Sequence, residues 1–294
     1  MKIQMLVQLI IAALLTGSIY GLIAIGYSMI YRASGIMNLS QGDLMCLGGF
    51  FGYTFYNTIG LPILLSILLT MVCTFIIGVL LEKFVIRPIF NRNVSTSSLI
   101  LATVALSYII QSLELIIWGG APLHMNSFLK VKSFKFMGVL YQTESLMCIA
   151  IALIVMLILH LFMKKSSFGI AMRAAAMDQD AARSVGINVN KTTRITWAIS
   201  VSVAGLAGIL VGPLYGVSTT LGTQMSAKGF ASAVVGGYGD MYGAMIGGGV
   251  LSALETFSAG YINSTVKQMI AYLAVLAVLF LKPRGIMNVE AVKD

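Results

Sequence analysis

Four hydrogen-bonding side chains stand close together in an otherwise apolar part of this sequence. Asn38, Ser40, Gln41 and Asp43 follow Gly35 at the start of an apolar segment. Polar groups are costly in lipid, so we expect them to bond at a helix terminus or to face water or protein. Two compatible interpretations are open. Ser40 or Asn38 caps a helix at the membrane surface, or the four residues form the polar turn of a broken helix that faces a translocation pathway.

A second unusual region lies between residues 229 and 249, where 8 of 21 residues are glycine. Three of them repeat every four residues, at Gly239, Gly243 and Gly247. This small-xxx-small pattern is typical of tight helix contacts in lipid, and such packing alone is one explanation of the glycines. A turn at Tyr238 and Asp240 divides the region into two segments, each too short to span a bilayer comfortably. Short, glycine-interrupted segments often lie beside a transport path, so both residues join the candidate pathway.

Isolated acids inside apolar segments are the third kind of candidate. Charge is costly there and usually faces protein or water. Glu255 is assigned to the candidate pathway for this reason, and a pathway role is open for Glu114. Glu114 fits the outer end of a helix as well, because Trp118, four residues later, is typical of the membrane interface.

The chain lacks the patterns expected of an enzyme, a metal site or a nucleic-acid binder. No Gly-x-x-x-x-Gly-Lys sequence occurs, so we expect no P-loop for ATP, and no Ser/His/Asp or Cys/His set is apparent. Cys46, Cys73 and Cys148 all lie in apolar stretches and are interpreted as small hydrophobic residues. The net charge of +9 is attributed to basic loops on one side of a membrane.

One charged, alanine-rich stretch separates two strongly apolar regions. It is predicted to form a single helix over 170–185, capped at Ser166 or Ser167 and ended by Gly186. Its alanines would let a partner approach closely, although a surface helix without a binding role is the alternative. The candidate contacts with a partner are Arg173, Asp178, Asp180, Ala181, Ala182, Arg183 and Gly186.

The elements that must position these residues are membrane helices. Hydrophobic residues make up 58% of the 294 residues and charged residues only 10%, whereas soluble domains carry about 25% charged residues. We therefore predict an all-α, polytopic integral membrane bundle in one domain, 1–294, with about eight transmembrane helices including broken or re-entrant segments. We expect helices near 5–31, 36–57, 61–81, 97–118, 146–163 and 194–217, a broken pair over 226–260, and a last helix at 264–281.

The distribution of basic residues predicts the orientation. If the loop at about 164–194 is cytoplasmic, 13 Lys and Arg lie inside and 6 outside, as the positive-inside rule requires. The N-terminus is then outside and the C-terminus inside. The longest outer loop, 119–144, carries Lys130, Lys132 and Lys135 at odd spacing, which predicts a short amphipathic hairpin. This loop either docks an external partner or simply connects two helices.

Motifs along most of the chain resemble one transporter family. They are Gly21-Leu22-x-Ala24-Ile25-Gly26, Gly35-Ile36-x-Asn38-Leu39-Ser40-Gln41-Gly42-Asp43, Phe168-Gly169-x-Ala171-Met172-Arg173, Asp180-Ala181-Ala182-x-x-x-Gly186, Phe230-x-x-Ala233-Val234-x-Gly236-Gly237 and Lys282-Pro283-x-Gly285-Ile286. The Asp-Ala-Ala-x-x-x-Gly stretch resembles the loop by which ABC importer permeases dock onto their ATPase subunits. Together the motifs resemble the permease subunits of branched-chain amino-acid ABC importers (the LivH/LivM permease family), and the chain length suits the LivH type.

The resemblance implies a multi-pass protein of the bacterial cytoplasmic (inner) membrane that is not an enzyme and binds no cofactor itself. ATP and Mg would bind to two cytoplasmic ABC ATPase subunits docked on the 164–194 loop. A second, LivM-type permease subunit and an extracytoplasmic substrate-binding protein would complete the importer. The implied cargo is leucine, isoleucine and valine. Transport of urea, short amides or another small polar solute by the same architecture stays open, as do an ion-coupled secondary transporter and a channel or structural membrane protein.

Overall fold

The computed structural model describes residues 2–92, 95–129, 133–136, 139–282 and 284–287. Within them the chain is a bundle of α-helices with one small β-hairpin. The elements in chain order are α1 (Lys2–Ser34), α2 (Gln41–Tyr53), α3 (Ile63–Leu81), α4 (Arg87–Phe90), α5 (Thr96–Trp118), β1 (Ser133–Phe136), β2 (Val139–Gln142), α6 (Thr143–Lys165), α7 (Ser167–Met177), α8 (Gln179–Ser184), α9 (Val189–Tyr215), α10 (Thr219–Gly236), α11 (Met241–Tyr261) and α12 (Lys267–Leu281). Of the residues singled out in the sequence, Lys130, Lys132 and Pro283 lie outside the described ones.

Five helices in the described chain are long and apolar enough to cross a membrane. They are Gln4–Ser34, Ile63–Phe90, Ser97–Trp118, Thr143–Lys165 and Val189–Tyr215. The helix α11 has 21 residues, about 31 Å at 1.5 Å per residue. The segment after the glycine turn is therefore not too short to span, contrary to the expectation from sequence. The all-α polytopic bundle is confirmed, whereas the number of about eight crossings stays a prediction.

The surface of the bundle fits a membrane environment. Large apolar side chains are exposed along α3, α5, α6 and α12, for example Leu64, Ile116, Leu157 and Phe280. Extended apolar faces of this kind are unfavourable in water and are typical of contact with lipid or with other membrane helices. The chain is a multi-pass membrane protein.

The helix α9 lies at the centre of the bundle. Its residues are almost all buried between Thr196 and Gly212, and α1, α2 and α3 pack against it. The α2–α9 approach depends on glycine, because a Cβ on Gly48 would lie 2.2 Å from the Gly205 Cα. The helices α10 and α11 pack on each other and on α1, so the core is built from α1, α2, α9, α10 and α11.

The bundle has two distinct ends. At one end β1 and β2 pair antiparallel, with Ser133 opposite Gln142, which confirms the predicted hairpin. Beside them Leu123 and Val217 exchange two backbone hydrogen bonds, 2.8 and 2.9 Å long. We call this the hairpin end. The helix α6 runs from it to the opposite end, where α7 and α8 form a bent pair that we call the elbow.

Candidate translocation and coupling sites

The polar turn between α1 and α2 is built on Asn38. Its side-chain oxygen accepts hydrogen bonds from the Ser40 hydroxyl (2.7 Å) and the Ser40 amide (3.2 Å), a common way for Asn to hold a turn. Ser40 occupies the N-cap position of α2, but no side chain caps the first amides of that helix. The expected cap by Ser40 or Asn38 is therefore wrong, and the helix begins at Gln41 rather than near residue 36.

Gln41 joins this turn to two other helices. Its side-chain oxygen accepts from Asn38 Nδ2 (3.1 Å), and its Nε2 donates to the hydroxyl (3.1 Å) and the carbonyl (3.3 Å) of Ser200 on α9. Ser200 Oγ donates to the Gly26 carbonyl of α1 (2.9 Å), and a Cβ on Gly26 would lie 2.2 Å from Gln41 Nε2. The side chains of Asn38, Gln41 and Ser200 are all buried. They are hydrogen-bonded within the chain, and their place on a pathway stays a prediction.

Asp43 connects α2 to α5. Its carboxylate accepts hydrogen bonds from the Ser107 hydroxyl and from Gln111 Nε2, the latter at 2.9 Å. One turn before Ser107, Thr103 Oγ1 accepts from the Leu39 amide (3.1 Å). Residues four apart share one face of a helix, so the spacing 103, 107, 111 was the available signal for this polar stripe. Our sequence reasoning missed it.

Glu114 lies further along α5 toward the hairpin end. It is 0% exposed, and neither carboxylate oxygen accepts a hydrogen bond from any residue that the structure describes. Cys46 of α2 lies beside it, and the Cys46 thiol donates to the Ser218 carbonyl (2.9 Å). Glu114 lies one turn before the end of α5 at Trp118, as the sequence predicted, and it is buried there. Its role on a pathway stays a prediction.

Glu255 is half of a buried ion pair. Lys228 Nζ lies 2.6 Å from Glu255 Oε1, and the Tyr20 hydroxyl donates to the other carboxylate oxygen (2.9 Å). The three side chains link α11, α10 and α1. We had not singled out Lys228, although isolated opposite charges in apolar segments usually pair with each other.

The turn between α10 and α11 lies at the elbow end. Asp240 caps α11, because its carboxylate accepts from the Gly243 amide (2.9 Å). The Tyr238 ring packs on Tyr31 and Phe230, with centroid distances of 4.6 and 5.6 Å. The Tyr238 hydroxyl is buried, with no hydrogen-bond partner among the described residues.

The predicted pathway residues thus occupy three places: the polar turn after α1 with its bonds to α5 and α9, the ion pair between α10 and α11, and the capped turn before α11. No hydrogen bond in the described part of the chain joins one place to another. In this conformation the structure does not bring them together into one site. Their shared role on a pathway stays a prediction.

The elbow is two helices rather than one. Ser166 caps α7 by accepting an amide hydrogen bond of its first turn (3.0 Å), as the sequence predicted. At Asp178 the backbone is extended, and its carboxylate accepts from the amides of Asp180 and Ala181, both at 2.9 Å. A capping Asp starts a new helix, so the single helix expected over 170–185 is wrong at this residue.

The alanine-to-glycine spacing of the elbow has a structural explanation. Gly186 has φ +85° and donates to the Arg183 carbonyl (3.0 Å), while the Ile187 amide donates to the Ala182 carbonyl (3.0 Å). These are the two hydrogen bonds of a Schellman motif, which places glycine just past a helix. Ala182 is buried in a small cluster with Val189 of α9. The spacing therefore holds α8 against the central helix and confirms Gly186 as its stop.

The rest of the elbow faces outward. Its exposed predicted residues are Asp178, Asp180, Ala181, Arg183 and Gly186. Two large apolar side chains that we had not singled out stand beside them, Met177 at 86% and Val185 at 76% exposure. Apolar groups with a polar rim are typical of a protein interface.

Arg173 differs from the other predicted contacts, because its guanidinium donates to the backbone carbonyls of Met163 and Lys164. It holds α7 to the end of α6.

A buried ion-pair clasp supports the elbow from the side of α3 and α4. Glu82, which is buried, pairs with Arg87 and with Arg194, whose Nε lies 3.0 Å from Glu82 Oε2. Arg87 also donates to the Asn190 carbonyl at the start of α9 (2.8 Å). Arg183 of α8 and Glu82 line the same cleft. The clasp fixes the start of α9 beside α8.

These features define the chain as a multi-pass helical membrane protein. Five helices in its described part can cross a membrane, polar groups are buried between helices, and the elbow is exposed at one end. Within the described residues no group of three or more His, Cys, Asp or Glu side chains is placed to hold a metal ion.

The comparisons name the family. Residues 9–279 match the family model of the branched-chain amino acid transport system permease component, and the chain belongs to that family. It is 28% identical to the high-affinity branched-chain amino acid transport system permease protein LivH of Salmonella typhimurium, over 92% of each chain. It is also 28% identical to BraD of Pseudomonas aeruginosa, a permease protein of the same description, over 96% of this chain and 95% of the relative.

A solved structure supports the fold alone. PsaBC from Streptococcus pneumoniae in complex with Fab matches with a TM-score of 0.51 and 14% identity, covering 93% of this chain and 91% of that one.

Proposed function

We propose that this chain is a permease subunit of an ATP-driven importer of leucine, isoleucine and valine. A second, LivM-type permease subunit, two cytoplasmic ABC ATPase subunits and an extracytoplasmic binding protein complete the machine. ATP and Mg bind to the ATPase subunits. The observation that carries the proposal is the exposed, rigid elbow in a chain that belongs to a permease family. The basic residues support an orientation with the elbow and the C-terminus in the cytoplasm and the N-terminus outside.

The contacts of the elbow suggest how ATPase movement reaches the membrane. The ATPase would bind the exposed Met177 and Val185, with Asp180 and Arg183 on the rim. Ala182 transmits the movement to the central helix α9, and Arg173 transmits it to α6. Since α9 packs against α1, α2 and α3, a shift of the elbow would reposition the helices that hold the polar turn.

Substitutions on the elbow test whether the ATPase subunit docks there. Val185→Asp is expected to reduce co-purification of the ATPase by about tenfold or more, because it places a charge in an apolar contact. Arg183→Glu should have a smaller effect, since its ion pair with Asp180 is exposed. Lys83→Glu, exposed at the same end but outside the 164–194 loop, is the matched control. Full ATPase retention by Val185→Asp would contradict the proposed docking surface.

Uptake assays test the cargo and the energy source. Membranes that contain the complete complex should accumulate radiolabelled leucine only with ATP, and isoleucine and valine should compete. Competition by urea or short amides without competition by valine would identify the same architecture with a different cargo. Uptake that persists without ATP and stops when ion gradients are collapsed would identify a secondary transporter.

A further inference from the structure

We propose that Asp43 and Glu114 receive the ammonium group of the amino-acid cargo, in a site between α2, α5 and the N-terminus of α10. This inference rests on the proposed function and adds to it a residue-level basis for selecting an amino acid.

Neither acid is paired with a cation in the part of the chain that the structure describes. Glu114 is fully buried, and no described residue donates a hydrogen bond to either oxygen. Asp43 is also buried and accepts only from the neutral groups of Ser107 and Gln111. None of the ion pairs in the described part of the chain includes either acid. Buried acids in membrane helices usually face a cation or a polar cavity.

The two acids lie on α2 and α5, which pack against each other. On α5 Glu114 lies one turn beyond Gln111, which donates to Asp43 (2.9 Å), and on α2 Cys46 lies one turn beyond Asp43. The Cys46 thiol donates to the Ser218 carbonyl (2.9 Å). A primary ammonium group brings three N–H donors and one positive charge, which suits the buried acceptor oxygens of these two acids.

The N-terminal part of α10 lies beside Asp43. Gly222 of α10 packs against Asp43, since a Cβ there would lie 3.2 Å from Asp43 Oδ1. Ser218, the N-cap residue of α10, makes no side-chain cap hydrogen bond. Free amides at a helix N-terminus attract a carboxylate. The acids and this terminus together complement the two charges of a zwitterion, with the stacked rings of Phe50 and Trp118 (5.0 Å) nearby for an aliphatic side chain.

Leucine uptake by the complete complex in proteoliposomes is the test, with Glu114→Gln as the variant. Gln keeps the shape of the side chain but removes the charge. We expect leucine uptake below saturation to fall about tenfold or more, while the yield of complex and the co-purified ATPase match wild type, because Glu114 forms no ion pair in the described part of the chain. Glu144→Gln is the matched control, a buried acid at the hairpin end that accepts from Ser127. Its Gln retains the acceptor, so uptake should stay near wild type.

Uptake by Glu114→Gln equal to that of wild type would overturn the site. If the variant does not assemble, wild-type complex is labelled with dicyclohexylcarbodiimide and Glu114 modification is quantified by mass spectrometry. Leucine-loaded binding protein with ATP should then protect Glu114, and unchanged labelling would overturn the site. A wild-type complex that takes up no leucine refutes the proposed cargo instead, so the two failures are distinguishable.

Discussion

Replacing Lys228 by methionine tests the energetic importance of the ion pair between α10 and α11. The Lys228 and Glu255 side chains are only 14% and 7% exposed, so water screens their interaction little. Removing one partner of a buried pair costs about 3–5 kcal/mol, because the other charge is left uncompensated. The Tyr20 hydroxyl still donates to Glu255, so we expect a loss near the lower limit, about 3 kcal/mol.

The double variant Lys228→Met with Glu255→Met removes both charges. It therefore shows how much of the loss in Lys228→Met comes from leaving the Glu255 carboxylate unpaired. With both charges replaced by apolar groups of similar volume, a buried pair is often neutral to stability. The Tyr20 hydroxyl then loses its acceptor, which costs about 1–2 kcal/mol. The double variant is therefore expected to be more stable than Lys228→Met alone. If the stability losses of the two single substitutions simply added, it would be less stable.

The assay is the free energy of unfolding of the purified complex in mixed micelles titrated with denaturing detergent. Lys191→Met, at an exposed position, is the control and should change stability by less than about 0.5 kcal/mol. A loss under about 1 kcal/mol for Lys228→Met would refute the argument from desolvation. Leucine uptake by the double variant decides the predicted role of Glu255: retained uptake removes it from the pathway, and lost uptake in a stable complex keeps it there.

Three further substitutions test other parts of the fold by the same stability assay. Gly48→Ala should destabilise the protein by about 2 kcal/mol or more, because its Cβ would meet the backbone of α9 at 2.2 Å. Gly249→Ala is the matched control. Its Cβ would meet nothing within 4 Å, so the substitution should be neutral or stabilising. Equal effects of the two would contradict the close α2–α9 approach. Asp178→Ala should cost about 1 kcal/mol and speed hydrogen exchange of the α8 amides, and unchanged exchange would exclude the cap. Gly186→Val should cost more than Gly186→Asn, since a β-branched residue at φ +85° is strained; the reverse order would contradict the Schellman motif.

Local patterns predicted the parts of the candidate sites that depend on neighbouring residues. As expected, Ser166 caps the start of the elbow and Gly186 follows its end. Both could be predicted because a cap and a C-terminal glycine act within one helical turn. The break at Asp178 was missed, although the same residue type caps helices, because the alanines around it favour an uninterrupted helix. The hairpin was predicted from odd spacing within a single loop.

Partners distant in the sequence were not predictable in this way. Asp43 is bonded to α5, more than 60 residues away, and Gln41 is bonded to Ser200 on α9. Lys228 and Glu255 were both visible as isolated charges, but their pairing required knowledge that α10 and α11 lie side by side. The absence of any partner for Glu114 among the described residues was likewise visible only in three dimensions.

By itself, the sequence determined that this chain is a multi-pass helical membrane protein, and its motifs identified the permease family that the family match confirms. Transfer into lipid depends on hydrophobicity summed along a segment, which can be evaluated residue by residue. Only the tertiary structure decided which buried polar groups bond to each other and which acid lacks a donor among the described residues. Those outcomes depend on the rotation and separation of packed helices, which are set by contacts such as Gly48 with Gly205 between segments far apart in the chain.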